Sequence, residues 1–217
     1  MQLVSSTLGY LALLATAATV SAISLQDLDE AHEGSGMRLH SHTVTYGSGS
    51  GQQSVTAFPE ADDPNSLWTV MGANGHTCER GDPVPCGSAI RLRHVNTRKL
   101  LHSHGQHKSP MTGGYEVSAY EGMDQGDNWV VQCPSGSASK SKGFWLRETP
   151  IQLAHQDTDL ALLTASKRNV YGSPIPGQLE VAGHPASRLG SSPDQRWIAQ
   201  EGIYIAERKN ENDKDEF

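Results

Sequence analysis

The chain has 217 residues, a formal net charge of -7 and a pI near 5.8, with no Lys/Arg cluster of the kind that grips nucleic acid or an anionic membrane. Hydrophobic residues make up 36% and charged residues 19%, with 22 glycines and 11 prolines, which points to a turn-rich β protein built as one domain around one core.

The N-terminus, "MQLVSSTLGYLALLATAATVSA", carries an apolar run from Leu8 to Val20 followed by Val20-Ser21-Ala22, the small-residue pattern of a secretory leader. Residues 1–22 are read as a signal peptide cut after Ala22. The run is too short for a comfortable membrane span, and no Lys or Arg precedes it. Residues 23–36 form an acidic segment in which "SLQDLDEAHEGSGM" has no alternating apolar face.

The next stretch, "RLHSHTVTYGSGSGQQSV", exposes a repeat. "LHSH" occurs at Leu39–His42 and again at Leu101–His104, and the shift that relates them also carries Val55 onto Val117. A third copy lacks the histidines. It runs through Leu162-Leu163-Thr164 and Val181, and Trp197 follows Asp194 as Trp129 follows Asp127 and Trp68 follows Asp63. Each copy reads as four short strands, among them "AIRLRHV" (Ala89–Val95) and "PIQLAHQ" (Pro150–Gln156), giving about twelve in all. Units that cannot bury their own apolar faces suit a closed pseudo-threefold barrel with a hairpin cap, so the expected fold is all-β, a β-trefoil. Its repeats are expected at about 37–86, 87–147 and 148–204, with Ile90, Leu92, Leu101, Val117, Trp129 and their mates in the core.

Of three cysteines, Cys78 and Cys86 bracket the turn-rich "CERGDPVPC", so the expected disulfide is Cys78–Cys86, with Cys133 a buried unpaired thiol. The charged tail, residues 205–217 with "AERKNENDKDEF" from Ala206 on, has little to bury. It ends in Lys214, Asp215, Glu216 and Phe217, which differ from the retrieval signal KDEL at the last position alone, so the expected location is the endoplasmic reticulum lumen, with secretion as the alternative.

The blocks "RLHSHTVTYGSGSGQQSVT", "CERG", "CGSAIRLRHVNTRKLLHSH", "GGYEVSAY", "GSPIPGQLEV" and "WIAQEGIY", in this order between Met37 and Tyr204, resemble the MIR repeats of the stromal cell-derived factor 2 family. That family usually opens with a cysteine-bearing strand, where this chain has Ser24–Met37, so the first strand is expected to be either weak and irregular or missing. The resemblance implies a non-enzymatic role in luminal protein quality control, as an adaptor bound to a J-domain co-chaperone and, through it, to the chaperone BiP. Unfolded clients or glycans are further partners it implies. A secreted carbohydrate-binding trefoil and an accessory to protein O-mannosylation are the alternatives.

Period-two spacing puts His40 with His42, and His102 with His104, on one strand face, a pattern that can bind zinc or copper. Equivalent strands of a threefold barrel stand apart, however, and Leu163 and Ala165 occupy the third copy's histidine positions, so no metal is expected and the imidazoles are read as pinning adjacent loops. No GxSxG, Walker loop, HExxH or CxxC motif is present, and neither catalytic residues nor a cofactor are assigned. Binding is expected at the loops Thr45–Ser54, Gly105–Glu116 and Lys167–Glu180, with Tyr46, Gln53, His102, His104, Tyr115 and Tyr171 as candidate contacts.

Overall fold

A computed structural model describes residues 20–25, 36–60, 62–78, 81–134, 143–147, 149–158, 161–189 and 195–199. Residues 1–19 of the stretch read as a leader (1–22), most of the acidic segment and the KDEF tail lie outside the described residues. The strands are β1 (Val20–Leu25), β2 (Arg38–Thr45), β3 (Gln53–Phe58), β4 (Leu67–Gly72), β5 (Ala89–His94), β6 (Leu100–Lys108), β7 (Tyr115–Tyr120), β8 (Trp129–Gln132), β9 (Gln152–His155), β10 (Ala161–Val170), β11 (Leu179–His184) and β12 (Trp197–Ala199). A 3-10 turn precedes β4 (Pro64–Ser66) and β8 (Gln125–Asp127), and a short helix, α1 (Ala186–Leu189), follows β11.

All pairings are antiparallel and repeat three times along the chain. β5 lies between β4 and β8, β9 between β8 and β12 through the Ile151–Trp197 bridge, and β1 between β12 and β4. Those six strands close a ring. The hairpins β2–β3, β6–β7 and β10–β11 rise from it, and β3, β7 and β11 pair with one another in turn.

The sequence dictates this closure through period-two alternation. Leu39, Leu101 and Leu163, then Val55, Val117 and Val181, then Trp68, Trp129 and Trp197 all have no exposed surface and form one cluster with Ile90, Leu92, Ile151 and Leu153. Each buried Leu or Val contributes about 1.5–3 kcal/mol through apolar area removed from water. The tryptophans also set the register, because each indole N–H donates to a leucine carbonyl of its own repeat. Trp68 reaches Leu39 O at 2.9 Å, Trp129 reaches Leu101 O at 3.0 Å and Trp197 reaches Leu163 O at 2.8 Å.

Three expectations change. The disulfide joins Cys86 to Cys133, with Cα atoms 5.6 Å apart, and Cys78 is an exposed thiol. The cause is the antiparallel register of β5 and β8, whose Ala89–Val130 pair continues outward to set Cys86 across from Cys133, two residues remote in sequence but facing in space. Secondly, Leu163, not Leu162, is the mate of Leu39 and Leu101, so Thr164 and Ser166 stand at the third copy's histidine positions. Two successive leucines had made both alignments possible, and a slip of one residue turns every side chain to the opposite face. Thirdly, the first strand is β1, which begins inside the stretch read as leader and ends at Leu25, upstream of the repeat boundary expected at 37.

Candidate functional site

The hairpin loops Thr45–Ser54, Gly105–Glu116 and Lys167–Glu180 meet on one face because β3, β7 and β11 contact each other directly. A buried carboxylate from one repeat holds the loop of the repeat before it. Glu180 accepts from the amides of Met111 at 2.7 Å and Thr112 at 2.8 Å, and Glu116 accepts from the Ser50 amide at 3.3 Å and from the Ser50 hydroxyl. Both glutamates are at least 95% buried, Glu116 at 4% and Glu180 at 1% relative exposure. Positive φ at Gly51, Gly113 and Gly177 gives the three loops the same sharp turn, which a side chain would strain.

Tyr46 lies beneath this face. Its hydroxyl donates to Val117 O at 2.9 Å, and burial, with Tyr171 nearby, pushes its phenol well above the usual range. Tyr171 is half-buried, and burial followed by the charge of Glu180 raises its phenol as well. Both remain neutral hydroxyls at any physiological pH. Gln53 is buried, with its amide nitrogen donating to the hydroxyls of Ser41 at 2.8 Å and Thr97 at 2.9 Å. Tyr115 is half-buried, and the Lys108 ammonium lies 4.4 Å from its ring centroid.

The histidines divide by depth. His40 and His102 are buried and bind aspartates at the 3-10 turns, His40 Nδ1 to Asp63 at 2.5 Å and His102 Nδ1 to Asp127 at 2.9 Å. Burial lowers the His40 pKa against the opposing pull of Asp63, so the contact is a neutral imidazole N–H donating to a carboxylate. For Asp63, burial acts upward, but the Asn65 amide and His40 outweigh it and hold the carboxyl below its ordinary value. His42 and His104 are half-buried and stack edge-on against their partners, with ring centroids 5.0 and 5.2 Å apart. Burial lowers both of these pKa values too.

His102, Asp124 and Asp127 place one ligand atom each within 4.8 Å, the one such group among the described residues. Their lone pairs serve internal donors. Asp127 accepts from His102 and the Asp124 amide, and Asp124 accepts from the Gly126 amide, which is a capping box closing the turn. Elsewhere, a cleft of about 390 Å³ beside β4 and β5 is lined by His76, Cys78 and Asp82 together with Met71, Val84 and Ile90. The three polar residues do not bring their ligand atoms within that same 4.8 Å.

Tyr46, Gln53 and His102 therefore direct their polar groups inward, whereas His104, Tyr115 and Tyr171 keep part of their surface toward solvent. Sequence reading missed Glu116 and Glu180. The signal was their common place immediately before Val117 and Val181, at the position where Ser54 precedes Val55.

The model of the MIR domain matches residues 34–189. Stromal cell-derived factor 2 of Mus musculus is 42% identical over 172 residues, covering 78% of this chain and 75% of the mouse protein. The crystal structure of the SDF2-like protein from Arabidopsis thaliana superposes with a TM-score of 0.71 at 40% identity, covering 88% of this chain and 98% of that one. A chain of the S. cerevisiae protein O-mannosyltransferase complex bound to the sugar donor superposes with a TM-score of 0.67 at 24% identity, covering 88% of this chain and 27% of that one, which is a likeness of fold.

Proposed function

Because the chain belongs to the stromal cell-derived factor 2 family of MIR-domain proteins, we propose that it is a non-enzymatic β-trefoil of the endoplasmic reticulum lumen. It serves protein quality control there as an adaptor that binds a J-domain co-chaperone and, through it, BiP. The family membership across residues 34–189 carries this reading. Support comes from the threefold ring of strands, the leader-like N-terminus and the KDEF end.

The physical case for an adaptor is the loop face. Buried glutamates fix the three hairpins relative to one another, so the face is held in one shape before a partner arrives and little loop entropy is lost on binding. Its partly exposed Tyr115, Tyr171 and His104 supply rigid rings of the type that anchor peptide segments.

Mild crosslinking of the full chain in an endoplasmic reticulum fraction, followed by affinity capture, tests the reading. Recovery of a J-domain protein together with BiP is the expected result. Failure to recover either, with selective retention on a glycan array and accumulation in the medium, favours the secreted carbohydrate-binding alternative. An altered O-mannosylation profile on deletion would favour the accessory role instead.

A further inference from the structure

β1 occupies the same place against the tryptophan strands as β5 and β9. Leu25 faces Trp197 as His94 faces Trp68 and His155 faces Trp129. On the other side, Ser21 faces Trp68 as Ile90 faces Trp129 and Ile151 faces Trp197. The intervening spacing is the same in all three copies, so Val20–Leu25 is the first strand of the first repeat.

A cut after Ala22 would remove half of that strand. The pairs Val20–Thr69, Ser21–Trp68 and Ala22–Leu67 would be lost, and β4 would keep an unpaired edge. The cut would also leave a charged α-amino group on Ile23, at the register position held by the fully buried Leu92 and Leu153 in the other copies. An ammonium at such a position costs several kcal/mol unless paired. Upstream, Ala15-Thr16-Ala17 supplies the small residues that a signal peptidase reads, directly after the apolar stretch Leu8–Leu14.

We propose that the processing site is the Ala17–Ala18 bond and that the mature chain starts just ahead of β1. A signal peptidase hydrolyses this amide with one water, leaving a carboxylate on Ala17 and an amine on Ala18. The inference rests on the leader reading above. The end of the apparent leader is then a structural part of the domain, standing in for the cysteine-bearing strand expected of the family.

Expression of the full chain in a eukaryotic secretory host, with intact mass and N-terminal sequencing of the purified protein, decides the matter. A start at Ala18 is expected, and Ala17→Leu should reduce that species at least tenfold while Ala22→Leu leaves the start unchanged. A start at Ser21 or beyond, or an unchanged start in Ala17→Leu, overturns the proposed site but leaves the leader reading standing. A chain that still begins at Met1 overturns the leader reading itself.

Discussion

Glu180 sets one carboxylate oxygen on each of two loop amides, and the threefold arrangement explains why its counterpart in the first repeat is Ser54. The loop that Ser54 would hold carries Pro176 where the others carry Ser50 and Thr112, and proline has no N–H to donate. The carboxylate is present where an amide requires it and absent where the amide is missing. A second pair varies in step. Gln52 accepts from the Ser118 hydroxyl and Gln178 from that of Thr56, whereas the remaining copy has Gly114 and Ala182 at the corresponding positions, which carry no side-chain acceptor and no hydroxyl. From this, Glu180→Ala should lower stability by about 2–3 kcal/mol, the loss of a charged acceptor shared by two loop amides, whereas Ser54→Ala should lower it by less than about 1 kcal/mol. Urea unfolding of both variants checks the contrast, and equal losses would refute the assignment. Trp129→Phe, which keeps the ring but drops the indole N–H to Leu101 O, should cost about 1–3 kcal/mol in the same assay.

At the scale of strands, the repeat was readable because "LHSH" and the valines Val55 and Val117 recur at one shift and a Trp strand follows in each copy, and β5 and β9 fall where their alternation places them. Less was readable in the third copy, where Leu162 and Leu163 are both apolar and the choice between them depends on the indole of Trp197, a contact no local pattern reveals. β1 was hidden for a different reason. Its "VSAISL" has the small apolar character of a leader end, and only pairing with β4 and β12 shows it to be a strand. The disulfide was misplaced because proximity in sequence favoured Cys78, whereas the β5–β8 register decides the partner of Cys86. That bond spans 47 residues, and the chain-entropy model assigns it about 4 kcal/mol. Cys133→Ser should therefore unfold at much lower urea than the parent, while Cys78→Ser should leave the midpoint nearly unchanged. Non-reducing peptide mapping that joined Cys78 to either other cysteine would contradict the structure.

For the molecule as a whole, the buried histidines couple stability to pH. His94 donates from Nε2 to Asn65 O at 2.9 Å and accepts at Nδ1 from Thr97, and His155 does the same with Gly126 O and Thr158. Acceptance at Nδ1 favours the neutral ring, whereas the Nε2 bonds to the two carbonyls pull the other way and burial outweighs them. Burial lowers the pKa of His40, His42, His94, His104 and His155 below the ordinary 6.5. Below pH 6.5 the unfolded chain therefore binds protons that the folded chain resists. The stabilisation is fully present above pH 6.5 and is lost as pH falls toward the depressed folded values. Thermal unfolding should show a lower Tm at pH 5.5 than at pH 7.5, and a flat or inverted profile would refute the coupling.

The location of the full chain, measured beside a version lacking Lys214–Phe217, tests the proposed luminal adaptor role most directly. The account predicts that the intact protein stays with BiP in the endoplasmic reticulum and that the truncated one appears in the medium. Equal secretion of the two would contradict it.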